Sequence, residues 1–287
     1  MTVRKDTLFE RYLAPLFEHV LLDRQALMAY RRSKDWEQEG DRLRNPTLVY
    51  PDYYQSQHFH GVSGGYLNPD AAVTYDAITQ YVLPPNELWI RKSLIERIQS
   101  RPRRILDIGC GTGSTTLLLK QAFPQAEVIG LDLSPYMLLA AKDKAKAAHQ
   151  LIQFVHGNAE QTGLPDGSID LVTATLLFHE TPPAVSQTIL REMFRLLRVG
   201  GEVLLLDGNQ AMLRHSDWLT DIFEEPYIQA YAAGSLDAWL GQAGFGAVQT
   251  EDLWLVHQIS RGVKPLESTR VQFETPAIAE QPGWAMG

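Results

Sequence analysis

Residues 103–132, RRILDIGCGTGSTTLLLKQAFPQAEVIGLD, decide the fold. An apolar run, Arg104–Ile108, enters a turn with glycines at 109, 111 and 113. A helical stretch follows over 114–123, and a second apolar run, Glu127–Leu131, ends against Asp132. Short apolar runs separated by longer amphipathic stretches are the pattern of parallel strands joined by crossover helices. The glycines permit a tight turn and close approach of backbone to a ligand. The helix behind them presents free N–H groups to an anionic moiety.

The same rhythm continues outward from this stretch. Further strands are expected at Ile152–His156, Ile169–Thr173 and Glu202–Asp207, with helices over 135–148 and 184–197. Right-handed crossovers then place helices on both faces of a doubly wound, mostly parallel α/β sheet. Gly200 and Gly201 read as the C-cap of the last of these helices before the strand at 202. A helix over Ser235–Gln242 ends at Gly244, and Ala247–Ile259 is apolar enough for one or two final strands, an antiparallel edge pair.

Residues 101–260 therefore form one domain. Residues 1–100 lack the strand–helix rhythm and read as a mainly helical N-terminal cap. Within them Leu13, Leu16, Phe17, Val20 and Leu21 recur at helical spacing behind Pro15. Residues 45–69, rich in Pro, Tyr, His and Gly, suit a loop, and 261–287 reads as a peripheral or mobile tail.

Composition narrows the function classes. The 287 residues are 45% hydrophobic and 21% charged, the balance of an ordinary globular protein, and the net charge of −8 opposes nucleic-acid binding. The basic run Arg101–Arg104 reads as a solvated strand entry. Cys110, the single cysteine, has no intramolecular partner and reads as a small residue in a crowded turn. Residues 1–20 lack an apolar signal core and no run reaches the length of a membrane span, so a cytoplasmic protein without an integral membrane segment is expected. Oligomeric state is left open.

The glycine loop departs from a nicotinamide-dinucleotide fingerprint, because Ser114 and Thr115 stand where the G-x-G-x-x-G spacing requires its last glycine. That spacing favours S-adenosylmethionine (SAM). Asp132, at a strand end, can accept hydrogen bonds from both ribose hydroxyls of an adenosine and would repel a 2′-phosphate; taken alone it would be no more than a helix cap.

Four segments in order, LDIGCGTG at 106–113, GLDLSPYM at 130–137, GNAEQTGLPDGSIDLV at 157–172 and LLRVGGEVLLLD at 196–207, resemble successive motifs of the class I SAM-dependent methyltransferases. The resemblance covers about 103–256 and is nearest to small-molecule methyltransferases such as those of quinone biosynthesis. It implies a Rossmann-like methyltransferase sheet and SAM as cofactor. It also implies that Asp107 and Gly109 lie along the methionine portion, with Cys110, Gly111 and Gly113 completing the loop. Asp132 would hold the ribose, and Leu133 and Met137 would flank the adenine. Asn158 stands where many members have aspartate and would read the adenine edge as acceptor and donor together. Ala159 and Glu160 follow in register, and Leu176 sits after the fourth strand.

The implied activity is methyl transfer to a small, aromatic or apolar acceptor at O, N or C. Another SAM-dependent transferase chemistry, or a non-catalytic accessory protein on the same fold, are the alternatives. Intact Asp107, Gly109, Gly111 and Asp132 argue against the accessory protein.

On the acceptor side, the loop Leu176–Glu180 follows the fourth strand, where ligands of this fold class enter. His179 and Glu180 read either as a base or acceptor contact, or as a cap on the helix beyond Pro182 and Pro183. The cap segment Tyr53–Tyr66 reads either as a lid carrying His58 and His60 or as a surface loop. His58, His60 and Glu180 invite a metal reading, but no H-E-x-x-H or paired C-x-x-C motif is present and no metal is expected.

Overall fold

The computed structural model describes residues 22–57, 59, 64–82, 85–216 and 226–266. The amphipathic pattern at 13–21, His58, His60 and the tail from 267 lie outside the described residues.

In chain order the cap contributes helices α1 (Arg24–Arg32), α2 (Trp36–Leu43) and α3 (Asp52–Gln55), a 3₁₀ turn (Gly65–Leu67), and helices α4 (Pro69–Val82) and α5 (Glu87–Glu96). The sheet region follows: β1 (Arg104–Ile108), α6 (Ser114–Ala122), β2 (Glu127–Asp132), α7 (Pro135–Ala147), β3 (Gln153–His156) and β4 (Ile169–Thr175). A 3₁₀ turn (Phe178–Glu180) then leads to α8 (Pro183–Leu196), β5 (Leu197–Gly208), α9 (Gln210–Arg214), α10 (Ile228–Ala233), α11 (Leu236–Ala243), β6 (Gly246–Leu253) and β7 (His257–Val263).

The strands lie in the order β3-β2-β1-β4-β5-β7-β6, parallel except for the β5–β7 and β7–β6 pairs. The parallel sheet with an antiparallel edge pair is the expected architecture. Its winding reverses between β1 and β4, which opens a crevice at the carboxyl ends of these strands.

Successive side chains along each strand go to opposite faces. Leu106, Ile108, Val172, Val203 and Leu205 form one core with Ile189, Leu190 and Met193 of α8 and Tyr231, Leu236 and Leu240 of α10 and α11. Ile105, Leu171, Leu204, Leu206 and Ile259 face the other way, against Ile90 and Leu94 of α5 and Leu119 of α6. A third cluster joins the cap to the domain: Trp36, Ala71, Ala72 and Val73 pack on Tyr136, Met137, Leu139 and Ala140 of α7. Trp36 is 1% exposed, meets Tyr30 edge-on, and donates its indole N–H to the Arg31 carbonyl.

Local signals set most boundaries. Ser134 accepts the Met137 amide and Pro135 opens α7, which is ordinary N-terminal capping. Two expectations need correction. Gly200 and Gly201 do not cap α8, since Leu197 after the helix is already extended. They lie inside β5, where the Gly200 amide donates to the Lys264 carbonyl (2.8 Å) and the Lys264 amide to the Gly201 carbonyl (2.9 Å). β7 also runs to Val263, so Arg261 belongs to the sheet and ion-pairs with Glu202.

Candidate functional site

One cavity, with about 690 Å³ of empty space including its mouth, occupies the crevice above β1, β2 and β4. The sheet side of its wall is Gly109, Gly111, Leu131, Asp132, Leu133, Met137, Gly157 and Ala159. The opposite side is aromatic and comes from the cap: Tyr53, Tyr54, Phe59, Tyr66 and Tyr75. Thr175, Leu176, Leu177, Glu180 and Thr181 close the floor at the end of β4.

The glycine loop takes positive φ at 109, 111 and 113 (64°, 52° and 77°), a region that favours glycine. At Gly111 a Cβ would meet nothing within 4 Å, so the backbone faces open space beside the cavity. Gly113 serves packing instead, because a Cβ there would stand 2.9 Å from that of Ala141.

Asp132 accepts the Gly111 amide on one oxygen and the Ser134 amide on the other, both at 2.8 Å. Each oxygen keeps a further lone pair for a ligand hydroxyl. Burial pushes its pKa up to about 6, against the pull of those two amides. A carboxylate held in this way is costly without a ligand to donate to it.

Several expected residues stand behind the wall. Asp107 is 1% exposed and its oxygens accept the hydroxyls of Thr116 (2.6 Å) and Thr173 (2.7 Å), so it ties the end of β1 to α6 and β4 on either side of the glycine loop. Cys110 is buried, and burial together with Asp132 raises its thiol well above the usual range. Asn158 turns onto its own chain, accepting the Glu160 amide at 2.9 Å. Glu160 receives the Tyr53 hydroxyl, which fastens the cap to the domain. Leu133, Met137, Ala159 and Leu176 do line the cavity. Leu176 has φ +58°, a left-handed conformation that costs a non-glycine residue about 1–3 kcal/mol and tends to persist at functional sites.

The cap loop is held at other points that its composition did not reveal. The Asn45 amide donates to His156 Nδ1 (2.9 Å), which assigns the His156 proton to Nε2, and Nε2 donates to the Leu133 carbonyl (2.9 Å). Burial, with Arg44 nearby, lowers the His156 pKa and keeps this arrangement neutral. Ser134 donates its hydroxyl to the Tyr66 carbonyl (2.6 Å).

His179 and Glu180 are brought together, in the 3₁₀ turn after β4. The imidazole Nδ1 of His179 lies 2.5 Å from Asp207 Oδ1, and Tyr66 donates to Glu180 Oε1 at 2.6 Å. Glu180 lines the cavity and His179 stands just behind it. Asp207 was legible in the sequence only as the end of a strand. A second polar group that sequence reading missed is Arg91 of α5, buried, paired with Glu87 and donating to Thr115 at 2.6 Å; Thr115 in turn donates to Thr175 on the cavity floor (3.1 Å). Among the described residues no group of three or more His, Cys, Asp or Glu has the geometry to hold a metal ion, and no helix is long and apolar enough to cross a membrane.

A family model described as a methyltransferase domain matches residues 105–201, the span that carries the glycine loop, Asp132 and the β4 turn. The chain carries the class I SAM-dependent methyltransferase fold. SAM is the cofactor this fold indicates, and the Asp132 carboxylate, the open glycine backbone and the apolar flank of Leu133 and Met137 fit it. The methyltransferase region is similar to the demethylmenaquinone methyltransferase of Thermus thermophilus, 34% identical over 48% of this chain and 62% of that protein. The enzyme of the same name from Deinococcus radiodurans is 36% identical over 47% of this chain and 56% of its own length. The chain thus spans less than two thirds of these curated relatives.

Among solved structures, phosphoethanolamine N-methyltransferase 2 of Haemonchus contortus in complex with SAM shares the fold at TM-score 0.58, with 15% identity over 77% of this chain and 61% of that one. The PH0226 protein of Pyrococcus horikoshii does so at TM-score 0.51, with 17% identity over 75% of this chain and all of its own.

Proposed function

We propose that this protein transfers the methyl group of SAM to a small acceptor of aromatic or apolar character bound beneath the tyrosine wall. One observation carries this reading: a single cavity is bounded on one side by Gly109, Gly111, Asp132 and Met137 and on the other by Tyr53, Tyr54, Phe59, Tyr66 and Tyr75. Donor and acceptor then share one enclosed space. The curated relatives are named demethylmenaquinone methyltransferases, and that wording supports an acceptor of aromatic or apolar character.

When bound, SAM supplies an electrophilic methyl group on a sulfonium that leaves as a neutral thioether. Asp132 accepts the ribose hydroxyls, Leu133 and Met137 flank the adenine, and Gly109 and Gly111 let the backbone approach the methionine portion. The aromatic cap excludes water and aligns the acceptor. Alignment of this kind is worth up to about 7–11 kcal/mol of barrier. In this reading Asn158 and Glu160 act indirectly, one shaping the turn after β3 and the other fastening Tyr53, while Asp107 and Gly113 support the packing behind the loop.

Calorimetry with SAM tests the first half of the proposal, and undetectable binding at millimolar SAM refutes it. Incubation of a metabolite extract with methyl-labelled SAM tests the second. Label must appear in a small molecule, with S-adenosylhomocysteine accumulating in equal amount.

A further inference from the structure

Asp207, His179, Glu180 and Tyr66 form a row of ionisable side chains from the buried end of β5 to the cavity wall. Four N–H groups converge on Asp207: the amides of Leu177 (3.2 Å), Phe178 (2.7 Å) and Gly208 (2.7 Å), and His179 Nδ1 at 2.5 Å. The three amides immobilise the carboxylate, and the carboxylate in turn sets the proton of a neutral His179 on Nδ1. The lone pair is then on Nε2, at the far side of the ring. Nε2 lies 3.9 Å from Glu180 Oε1, a separation that a small side-chain rotation closes to hydrogen-bond distance. The same Oε1 receives the Tyr66 hydroxyl. Glu180 and Tyr66 line the cavity, whereas His179 and Asp207 stand behind it.

Resting on the methyl-transfer reading above, we infer that this row is a proton relay. Glu180 is the proton acceptor on the cavity side, His179 receives the proton, and Asp207 is the positioning residue that fixes the imidazole and balances its charge. The acceptor class follows: a molecule whose nucleophilic atom gives up a proton on methylation, rather than a thioether or tertiary amine that has no proton to lose.

In the transfer step the acceptor's electron pair forms the bond to the methyl carbon, and the C–S pair stays on sulfur. The acceptor's proton moves to Glu180 and on to Nε2 of His179. The positive charge of the sulfonium thereby reappears as an imidazolium beside Asp207, and the proton leaves to solvent after turnover. Other titratable groups bear on His179 from the packed elements. Tyr231 of α10 meets its ring edge-on at 6.3 Å, and its hydroxyl donates to the Gly208 carbonyl. His257 of β7 interacts electrostatically with both His179 and Asp207, and burial keeps it neutral.

Two measurements test the relay. Imidazole ¹⁵N–¹H spectra of the protein bound to S-adenosylhomocysteine should show His179 as the Nδ1–H tautomer at neutral pH, shifting toward Nε2–H in Asp207→Asn. A wild-type Nε2–H tautomer overturns the proposal. Label transfer from methyl-labelled SAM into a metabolite extract should fall by about 10²- to 10⁴-fold in Glu180→Gln and His179→Gln, the usual worth of a proton-transfer group, with unchanged affinity for S-adenosylhomocysteine.

In Asp207→Asn the inflection of the pH–rate profile should move to lower pH, because an imidazolium deprived of its carboxylate is easier to deprotonate. A purely structural pairing would leave that inflection in place. Wild-type rates in both Gln variants, or loss of S-adenosylhomocysteine binding in both, refute the relay while label transfer by the wild type stands. A wild type that binds SAM yet labels no acceptor refutes the methyl-transfer reading itself.

Discussion

Replacing Asp132 by asparagine separates two properties that this carboxylate combines. Without a ligand it is a buried acid whose pKa is pushed up to about 6 by burial. In the unfolded chain an aspartate titrates near the reference value of about 3.9. The folded protein therefore binds this proton more tightly. Its stabilising contribution is complete below the unfolded pKa and is lost as pH rises through about 6. With those two values, the contribution of Asp132 falls by about 1.4 kcal/mol between pH 5 and pH 8, and by about 3 kcal/mol over the whole titration.

The asparagine does not titrate, but it sets an NH₂ group against one of the two amides that Asp132 accepts, at a cost of about 1–3 kcal/mol. The absolute stabilities of the two proteins should thus be similar near neutrality, while their difference changes with pH. Urea denaturation at stepped pH measures it. Other titrating groups are shared by both proteins and cancel in the difference.

SAM binding should respond in the opposite sense. Hydrogen bonds to a charged acceptor are worth about 1.5–3 kcal/mol each, so two ribose hydroxyls predict a loss of about 10²-fold or more in Asp132→Asn. Wild-type affinity should weaken about tenfold per pH unit below 6, as the carboxylate protonates. A stability difference that is flat from pH 5 to 8, or equal SAM affinity in the two proteins, would refute this reasoning.

Other substitutions probe the fold and the cap. Burial holds the imidazole of His257 down to about 4, so the unfolded chain takes up this proton first; stability is intact above about 6.5 and is lost as pH falls, by about 1.4 kcal/mol per unit. His257→Leu should flatten that acid limb in urea titrations, and an unchanged slope would count against it. Cys110 should resist a disulfide reagent in the native protein and react as the single thiol of the chain once urea unfolds it; fast native labelling would contradict its burial. Trp36→Ala should cost about 3–5 kcal/mol, since the ring is the centre of the cap–α7 contact, and a loss under about 1 kcal/mol by thermal denaturation would show that the cap is held elsewhere.

The legible parts of this protein share a physical character: they are contiguous. The turn at 109–113 needs its glycines because its own φ angles are positive there, and the capping of α7 needs Ser134 and Pro135 because the first amides of that helix lie within three residues. Strand positions followed from apolar runs, though β2, β4 and β5 run one or two residues past their expected carboxyl ends and β5 also begins at Leu197, well before the expected Glu202. Asp132 falls inside β2 and Thr175 inside β4, because pairing with neighbouring strands extends them beyond what hydrophobicity alone marks. Gly200 and Gly201 misled for the same reason, since a glycine pair after a helix resembles a cap until β7 and the residue beyond it arrive to pair with it.

By itself the sequence determined the α/β winding, the glycine turn and the acid at the end of β2, each a matter of local conformation and periodicity. The tertiary structure alone decided which side chains face the cavity. Asp107 and Asn158 occupy motif positions, yet Asp107 is buried against the hydroxyls of Thr116 and Thr173, and the Asn158 side chain is turned onto the Glu160 amide. The pairing of His179 with Asp207 and of Glu180 with Tyr66 joins residues 28 and 114 positions apart. No local pattern encodes such meetings; they exist because the parallel sheet brings the ends of β4 and β5 side by side and the cap folds back over them.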